Sequence, residues 1–301
     1  MPLHGRPTGH GSTGQGSRPE SPGPGRAAHP RPAAPFAARN PAPGVLPEAL
    51  DALTLSVQAV ELLAATVSRG GLDRRRRREQ PGAAAELQEA GLLTADAFLT
   101  DRGHRMVAPW RLAERRLALG SRSPGDSTRL DIWTGDGTAL LLSGTTTGHE
   151  QLSLLPLASL TPVLARRTGS PASGFAGGFA AGERQVLVLD GQEYEDRIAG
   201  ARVPVPEGAG AQVQALLEAD WTEWTLADQS SGEGFSWISA EGCEPHAADL
   251  LPDGGTAVEA IAPSTLQDIL MCLVYAVPEQ PGLTSRPSGA GRKQLRQQRG
   301  H

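Results

Sequence analysis

A strand-to-helix joint that occurs twice constrains the fold of this 301-residue chain more than any other feature. Segment 152–164 reads LSLLPLASLTPVL, and segment 258–270, which begins 106 residues later, reads VEAIAPSTLQDIL. In both, apolar residues alternate as in a strand, meet a proline, and then recur at helical spacing. A central strand does not continue through proline, whereas the first turn of a helix accepts one. Pro156 and Pro263 therefore mark the change of period, and the chain is predicted to contain two related units.

The first unit is predicted to begin with helices and to continue with antiparallel strands. Apolar residues at helical spacing predict helices at 46–67, 83–91 and 100–107, the last capped by Thr100. Alternating residues then predict four strands, at 115–119, 130–134, 138–143 and 152–155. The closing helix is predicted either to span 157–167 or to begin at Pro162 with Thr161 as its cap.

The second unit repeats this order. It is predicted to contain a strand at 186–189, a helix at 211–218, and strands at 221–226, 235–238 and 258–262. Ser264 is expected to cap a final helix that ends at Tyr275. Glu193, Glu195 and Asp196 are expected to lie in a polar turn. The fold class predicted from these patterns is α+β, a quasi-two-fold repeat sharing one antiparallel sheet.

Composition sets the domain limits. Residues 1–44 are rich in Pro, Gly, Ser, Ala and Arg, and almost lack bulky apolar side chains, so they cannot offset the entropy of ordering. We expect a disordered Pro/Gly-rich tail there and a disordered basic tail at 280–301. Between them lies one α+β domain, 45–279, with halves at about 45–168 and 183–279 and a Gly-rich loop as the seam.

Charge is distributed unevenly between the halves. Residues 45–167 contain fifteen Arg and fourteen acidic residues, whereas residues 168–279 contain three Arg and eighteen acidic residues. An acidic surface repels phosphates, so it favours a basic or neutral partner over nucleic acid or an anionic membrane. Two cysteines in a chain of this size indicate a reducing compartment. Because no stretch is long and apolar enough for a signal or a membrane span, we expect a cytoplasmic protein without membrane insertion.

The sequence lacks the common catalytic and phosphate-binding motifs. It contains no GxSxG, SxxK or P-loop pattern, and its single lysine, Lys293, lies in the basic tail. Cys243 and His246 offer only two of the four ligands that a structural zinc site needs. Cys272 is expected to be a small buried core residue. We therefore predict no catalytic residues, no metal, no cofactor and no enzymatic activity.

Two segments suggest binding. Segment 74–107 combines the run Arg74–Arg78 with a helix–GLL–helix pattern, which is compatible with a winged-helix-like DNA-binding regulator or with ordinary packing of short helices. In the second half, Trp224 and Leu226 share one face of a predicted strand, as do Phe235 and Trp237 of the next. These four residues are expected either to pack in the core or to form a partner-binding anchor.

The order of these motifs resembles the EspG family of ESX (type VII) secretion-associated proteins over roughly residues 46–277. The segments that carry the resemblance are LQEAGLLTADAFLTDRG (87–103), LSLLPLASLTPVL (152–164), WTEWTLADQSSGEGFSWIS (221–239) and VEAIAPSTLQDIL (258–270). The resemblance implies a quasi-two-fold α+β fold with flanking helical bundles. It also implies a non-enzymatic cytosolic chaperone or adaptor that shields the apolar tip of a helical secreted partner, PE-PPE-like or another type VII substrate.

Overall fold

The computed structural model describes residues 48–145, 147–169 and 185–275. The predicted tails, 1–44 and 280–301, lie outside the described residues, as do the first residues of the predicted helix 46–67 and most of the predicted seam. The described residues form one antiparallel sheet of ten strands and eight α-helices. The predicted α+β class with an antiparallel sheet is therefore confirmed.

The strands alternate with helices in groups along the chain. The strands are β1 (Asp51–Ser56), β2 (Arg115–Ser123), β3 (Asp126–Gly135), β4 (Thr138–Gly144), β5 (His149–Pro156), β6 (Val186–Leu189), β7 (Trp221–Asp228), β8 (Gly234–Ala240), β9 (His246–Leu250) and β10 (Thr256–Ala260). The helices are α1 (Val57–Thr66), α2 (Arg74–Glu79), α3 (Pro81–Glu89), α4 (Asp101–Arg111), α5 (Leu160–Arg167), α6 (Gly191–Ile198), α7 (Ala211–Glu218) and α8 (Pro263–Tyr275).

The strand order of the sheet is β1-β5-β4-β3-β2-β7-β8-β9-β10-β6. In each half the last four strands follow one another as a meander, and the first strand pairs with the last to form an edge. The halves meet where β2 pairs with β7, with Leu119 opposite Leu226. Numbered within each half, the strands thus occur in the same order outward from the β2–β7 pair in both directions.

One face of the sheet is covered in the middle by the two closing helices. The residues of this central core come from both halves and are fully or almost fully buried: Leu117, Leu119, Leu130, Ile132, Leu160, Leu164, Leu226, Trp237, Leu266 and Leu270. Each such side chain contributes about 1.5–3 kcal/mol when it is removed from water. Because α5 packs against α8, one core stabilises both halves.

In the part of the chain that the structure describes, helices cover the opposite face towards its two ends. Helices α1, α3 and α4 pack on one end around Leu63, Leu87 and Met106. Helices α6 and α7 pack on the other end around Ile198 and Leu216. Between these two helix clusters, none of the helices in ranges 48–145, 147–169 and 185–275 packs on the middle of this face.

The structure confirms both strand-to-helix joints and corrects their caps. After Pro156 ends β5, a short 3-10 turn leads into α5, which accommodates Pro162 in its first turn. Thr161 is therefore inside the helix and is not its cap. Pro263 is the first residue of α8, so the predicted cap Ser264 also lies inside its helix.

The predicted helix 46–67 is wrong in its first half. Leu53 and Leu55 alternate with Ala52 and Thr54, and this segment is β1, which pairs with β5. The helix starts only at Val57, because Ser56 caps it by accepting a hydrogen bond from the Ala59 N–H at 3.2 Å.

Two further predictions are corrected, and the arginine run, for which no element is predicted, is helical. Glu193, Glu195 and Asp196 belong to helix α6, which Asp190 starts through a reciprocal capping box with Glu193. The arginine run forms the short helix α2, capped by Asp73. Cys272 is exposed, since the inward face of α8 is formed by Leu266, Leu270 and Val274.

Candidate partner-binding surface

The middle of the sheet has one buried face, which α5 and α8 cover, and one face that contacts solvent. In β2 the buried residues Leu117 and Leu119 alternate with the half-buried residues Ala118 and Gly120. The neighbouring strands β7 and β8 continue this alternation, because Thr225 lies opposite Gly120 and Ser236 lies opposite Thr225. The result is a row of small side chains between the two helix clusters, which we call the central strip: Ala118, Gly120, Thr225, Ala227 and Ser236.

One end of the central strip is bordered by a network of charged groups. The Nε of Arg122 donates to Glu223 at 2.5 Å, and the same guanidinium donates to Glu195 of α6 at 2.8 Å. The Tyr194 hydroxyl donates to the other Glu223 oxygen at 2.7 Å. Burial, followed by the negative charge of Glu223, raises the pKa of Tyr194 and keeps the phenol protonated. The network therefore fixes α6 to the middle of the sheet through β2 and β7.

A recess of about 300 Å³ lies beside this network. Tyr194 and Glu223 line it together with Ser236 of the central strip. Leu250, at the end of β9, also lines the recess and is 79% exposed. The recess thus combines hydrogen-bonded polar groups with the exposed aliphatic side chain of Leu250.

The other side of the central strip carries a second charged group. Arg129 and Gln229 both donate to Asp131, at 2.7 Å and 2.9 Å, and so connect β3 to the turn that follows β7. Nearby on β5, burial raises the pKa of Glu150, and the charges of Glu61 and Asp131 raise it further. The central strip therefore has small, uncharged residues in its middle, and hydrogen-bonded charged groups lie along both of its sides.

The four residues predicted as a partner-binding anchor lie on the buried face of the sheet, which α5 and α8 cover. Leu226 and Trp237 are fully buried in the central core, as the core-packing interpretation of these residues requires. Trp224 and Phe235 are half-buried against the same core, and Phe235 stacks on Trp237 with a centroid separation of 5.8 Å. The partner contact predicted for these four residues stays a prediction, and Trp224 and Phe235 are the two that keep partly exposed surface.

The central strip was not predicted from the sequence, although its signal is present. In R116-L-A-L-G-S-R122, leucines alternate with small or charged residues, which is typical of a strand with one solvated face. The alternation alone did not indicate that helices cover the ends of that face and leave its middle open.

Cys243 and His246 do not form a metal site in the structure. Cys243 packs against the core beneath α6 and α7, and burial raises the pKa of its thiol. The His246 ring lies 2.7 Å from the Glu244 carbonyl oxygen, and burial lowers its pKa. In the three described ranges no three His, Cys, Asp or Glu residues are grouped so as to hold a metal ion. No helix in the same ranges is both long and apolar enough to cross a membrane.

The segment considered for DNA binding is mainly part of a packed helix cluster. Met106 and Val107 of α4 are buried, and Leu87 of α3 has no exposed surface. Only α2 is exposed along its whole length. Nothing in the described residues favours the DNA-binding alternative.

Known proteins that are similar to this chain are found among solved structures. No protein-family model and no curated protein matches the chain. Among solved structures, the chain is similar to the Mycobacterium tuberculosis type VII secretion system chaperone EspG5, solved in complex with the PE25-PPE41 dimer. The two chains are 11% identical, the match covers 76% of this chain and 98% of that chain, and the TM-score is 0.47.

Proposed function

We propose that this protein is a non-enzymatic cytoplasmic chaperone or adaptor that binds a helical type VII secretion substrate and shields its apolar tip before export. The partner class, a PE-PPE-like pair or another helical type VII substrate, is taken from the family that the sequence motifs resemble. The observation that carries the proposal is the central strip, a solvated middle of a sheet whose two ends are covered by helices.

The central strip suits a protein partner for three reasons. Its side chains are small, so a helix can approach the sheet closely. The recess offers space for one projecting side chain, with Leu250 as an apolar contact. The charges on both sides are held in fixed positions by hydrogen bonds from Arg122 and Arg129, so they can orient a partner at little entropic cost.

The fold of the binding surface is proposed to be a quasi-two-fold repeat with flanking helical bundles. Support comes from the strand order, which is the same outward from the β2–β7 pair in both directions. On this interpretation the helix clusters on the two ends of the sheet are equivalent bundles, and the central strip lies at the pseudo-axis. The predicted halves, 45–168 and 183–279, are then the two repeats.

Binding is tested by co-expression with PE-PPE-like pairs encoded in the same genome, followed by size-exclusion chromatography. We expect a stoichiometric complex with one of these pairs. Failure of every pair and of other helical type VII substrates to form a complex would overturn the proposed function.

The location of the surface is tested separately with Ala118→Arg and Thr225→Arg, which place a long side chain on the central strip. We expect these variants to weaken the complex by about tenfold or more, because a buried polar group without a partner is costly. Gln212→Arg on the exposed side of α7 is the matched control and should bind as the unmodified protein does. A complex that forms equally well with all three variants would leave the function standing and exclude the central strip.

A further inference from the structure

The recess beside the central strip has an excess of negative charge. Of the described residues that line it, only Arg122 is basic, and its guanidinium donates to both Glu195 and Glu223. The Tyr194 phenol is uncharged, because its raised pKa keeps it protonated. The half of the chain that forms most of the recess, 168–279, contains three Arg and eighteen acidic residues. Two carboxylates thus share one guanidinium in an acidic region, and the recess is complementary to one further cation.

Both carboxylates can accept further hydrogen bonds. Glu223 is 8% exposed and receives one hydrogen bond on each oxygen, from the Arg122 Nε at 2.5 Å and from the Tyr194 hydroxyl at 2.7 Å. The Glu195 side chain is 56% exposed, and among the described residues Arg122 alone donates to it. An ionised carboxylate offers about four acceptor positions, so the contacts within the chain saturate neither group.

A second, independent feature of the recess is a buried hydroxyl without a partner. Thr256 is 6% exposed and lines the recess. It lies opposite Leu250 in the sheet and two residues before Val258, which packs with Ile198 of α6, so its side chain is on the face that carries the recess. No group in the three described ranges forms a hydrogen bond with its hydroxyl. A buried hydroxyl in this state is costly unless another molecule bonds to it.

Ser236 and Leu250 add a polar and an apolar group to the wall of the recess. The Ser236 hydroxyl lies 2.9 Å from Thr225 Oγ1, and because one hydrogen atom joins the two oxygens, lone pairs remain for a third donor. Leu250 is exposed, so its side chain can contact an aliphatic group. Hydrogen-bond acceptors beside an aliphatic contact suit a side chain with an apolar stem and a cationic end, as in Lys and Arg.

We propose that the recess binds one basic side chain, Lys or Arg, of the partner that lies on the central strip. The cationic end donates to Glu195, Glu223 and the Thr256 hydroxyl, and the aliphatic stem packs against Leu250. A metal ion is disfavoured, because the guanidinium of Arg122 occupies carboxylate oxygens that a metal would need and repels its charge. The identity of the partner rests on the proposed function, whereas the charge of its side chain follows from the recess alone.

The first test uses the complex with a PE-PPE-like pair that the proposed function predicts, with affinities measured by calorimetry. Thr256→Val removes the hydroxyl and should weaken this complex about tenfold, because a hydrogen bond to a charged group is lost. Glu195→Gln removes one negative charge and should weaken it about threefold, with a smaller dependence on salt. Glu218→Gln, at an exposed position of α7 outside the recess, is the control and should bind as the unmodified protein does.

Thermal unfolding of the free protein separates binding from folding. Because the Thr256 hydroxyl has no partner among the described residues, a valine of the same shape should leave the unfolding temperature unchanged or raise it. A weaker complex of an equally stable variant is the expected result. Full affinity of both Thr256→Val and Glu195→Gln would overturn the proposal and leave the proposed function standing, with the partner bound elsewhere on the strip.

The second test needs no protein partner, so it distinguishes failure of the recess from failure of the proposed function. The probes are n-butylammonium and n-propylguanidinium, which reproduce the ends of Lys and Arg, and the amide signals of Ser236 and Thr256 in the isotope-labelled full chain are followed by NMR at low salt. We expect saturable shifts with at least one probe at millimolar concentration, and about tenfold weaker binding of the neutral isostere 1-butanol and of either probe to Thr256→Val.

The outcomes of this titration are separate from those of the complex. No shift with either cation, or equal affinity for 1-butanol, would overturn the proposed site. Saturable binding of a cation in a protein that forms no complex with any PE-PPE-like pair would support the site and contradict the proposed partner alone.

Discussion

At the scale of single residues, the pair Arg115 and Asp228 connects the two halves. Arg115 on β2 donates from Nη2 and Nε to Asp228 on β7, at 2.5 Å and 3.0 Å, and the side chains are 7% and 6% exposed. Asp228 also accepts from the Ser230 N–H at 2.7 Å and so fixes the turn after β7. The carboxylate thus stabilises both the joint between the halves and the hairpin beside the central strip.

Asp228→Asn is expected to lower the free energy of unfolding by about 3–5 kcal/mol, because it leaves the Arg115 guanidinium buried without this counter-charge. Urea denaturation of the full chain measures the change. Asp220→Asn, at an exposed position, is the matched control and should change the free energy by no more than about 0.5 kcal/mol. Equal stability of the two variants would contradict the role given to the pair.

The same carboxylate is expected to make stability depend on pH. Burial acts to raise the pKa of Asp228, but hydrogen bonds from the Ser230 N–H and from Arg115 outweigh burial and hold the pKa below its ordinary value. A lowered pKa in the folded state means that this stabilisation is complete above the ordinary pKa of about 3.9 and is lost as the pH falls further. The difference in unfolding free energy between the unmodified protein and Asp228→Asn should therefore shrink from about pH 4 downwards. A difference that stays constant with pH would show that the carboxylate is not stabilised in this way.

At the scale of elements, the contact between α4 and the loop after α3 depends on the absence of a side chain. The Gly103 N–H donates to the Oγ1 of the capping residue Thr100 at 3.0 Å, and a Cβ atom on Gly103 would overlap the Leu92 carbonyl oxygen. The Leu92 carbonyl oxygen belongs to the GLL segment, so this loop or helix α4 would have to move to make room for a side chain at position 103.

Gly103→Ala is expected to destabilise the protein by about 1–3 kcal/mol through this overlap. Gly82→Ala in α3 is the matched control, since a Cβ atom there would meet nothing within 4 Å. The control should leave stability unchanged or raise it by up to about 1 kcal/mol, because alanine lowers the entropic cost of forming a helix. Thermal unfolding measures both variants, and a loss as large in Gly82→Ala as in Gly103→Ala would contradict the packing argument.

The elements also show what the sequence alone could predict. Helix α7 and strand β6 were predicted with their observed bounds, because apolar periodicity and flanking Gly or polar residues agree there. Segment 51–56 is predicted as part of a helix because Leu53 fits the helical spacing of its neighbours. Leu53 and Leu55 also fit the two-residue period of a strand, and pairing with the distant strand β5 stabilises the strand. Strand β9 was missed for the same reason, since its five residues gain their register from β10.

The candidate site was less predictable than the fold. Aromatic and leucine residues on β7 and β8 were correctly grouped by face, but the sequence did not show which face α5 and α8 would cover. Burial of a face depends on which helices pack there, and local periodicity contains no information about that. Networks such as Arg122 with Glu195 and Glu223 join residues about 70 to 100 positions apart and leave no local pattern.

At the scale of the whole molecule, the central core makes the two halves one cooperative unit. Its residues come from both halves, and β2 and β7 pair over six residues at the centre of the sheet. Shared burial of this kind couples the stability of one half to that of the other, since neither half retains a complete core alone. Unfolding of one half should therefore expose the part of the central core that belongs to the other half, which should then unfold as well.

This coupling is testable because the five tryptophans are divided between the halves. Trp110 and Trp133 are in the first half, whereas Trp221, Trp224 and Trp237 are in the second. In each of two variants of the full chain, one keeping only the first pair and one keeping only Trp221, the urea transition followed by fluorescence should coincide with the transition followed by circular dichroism, which reports both halves. Leu226→Ala in the second half should lower the free energy of unfolding by about 2–5 kcal/mol and shift the transition reported by Trp110 and Trp133 equally. A shift confined to the Trp221 signal would show that the halves unfold separately and that the central core does not couple them.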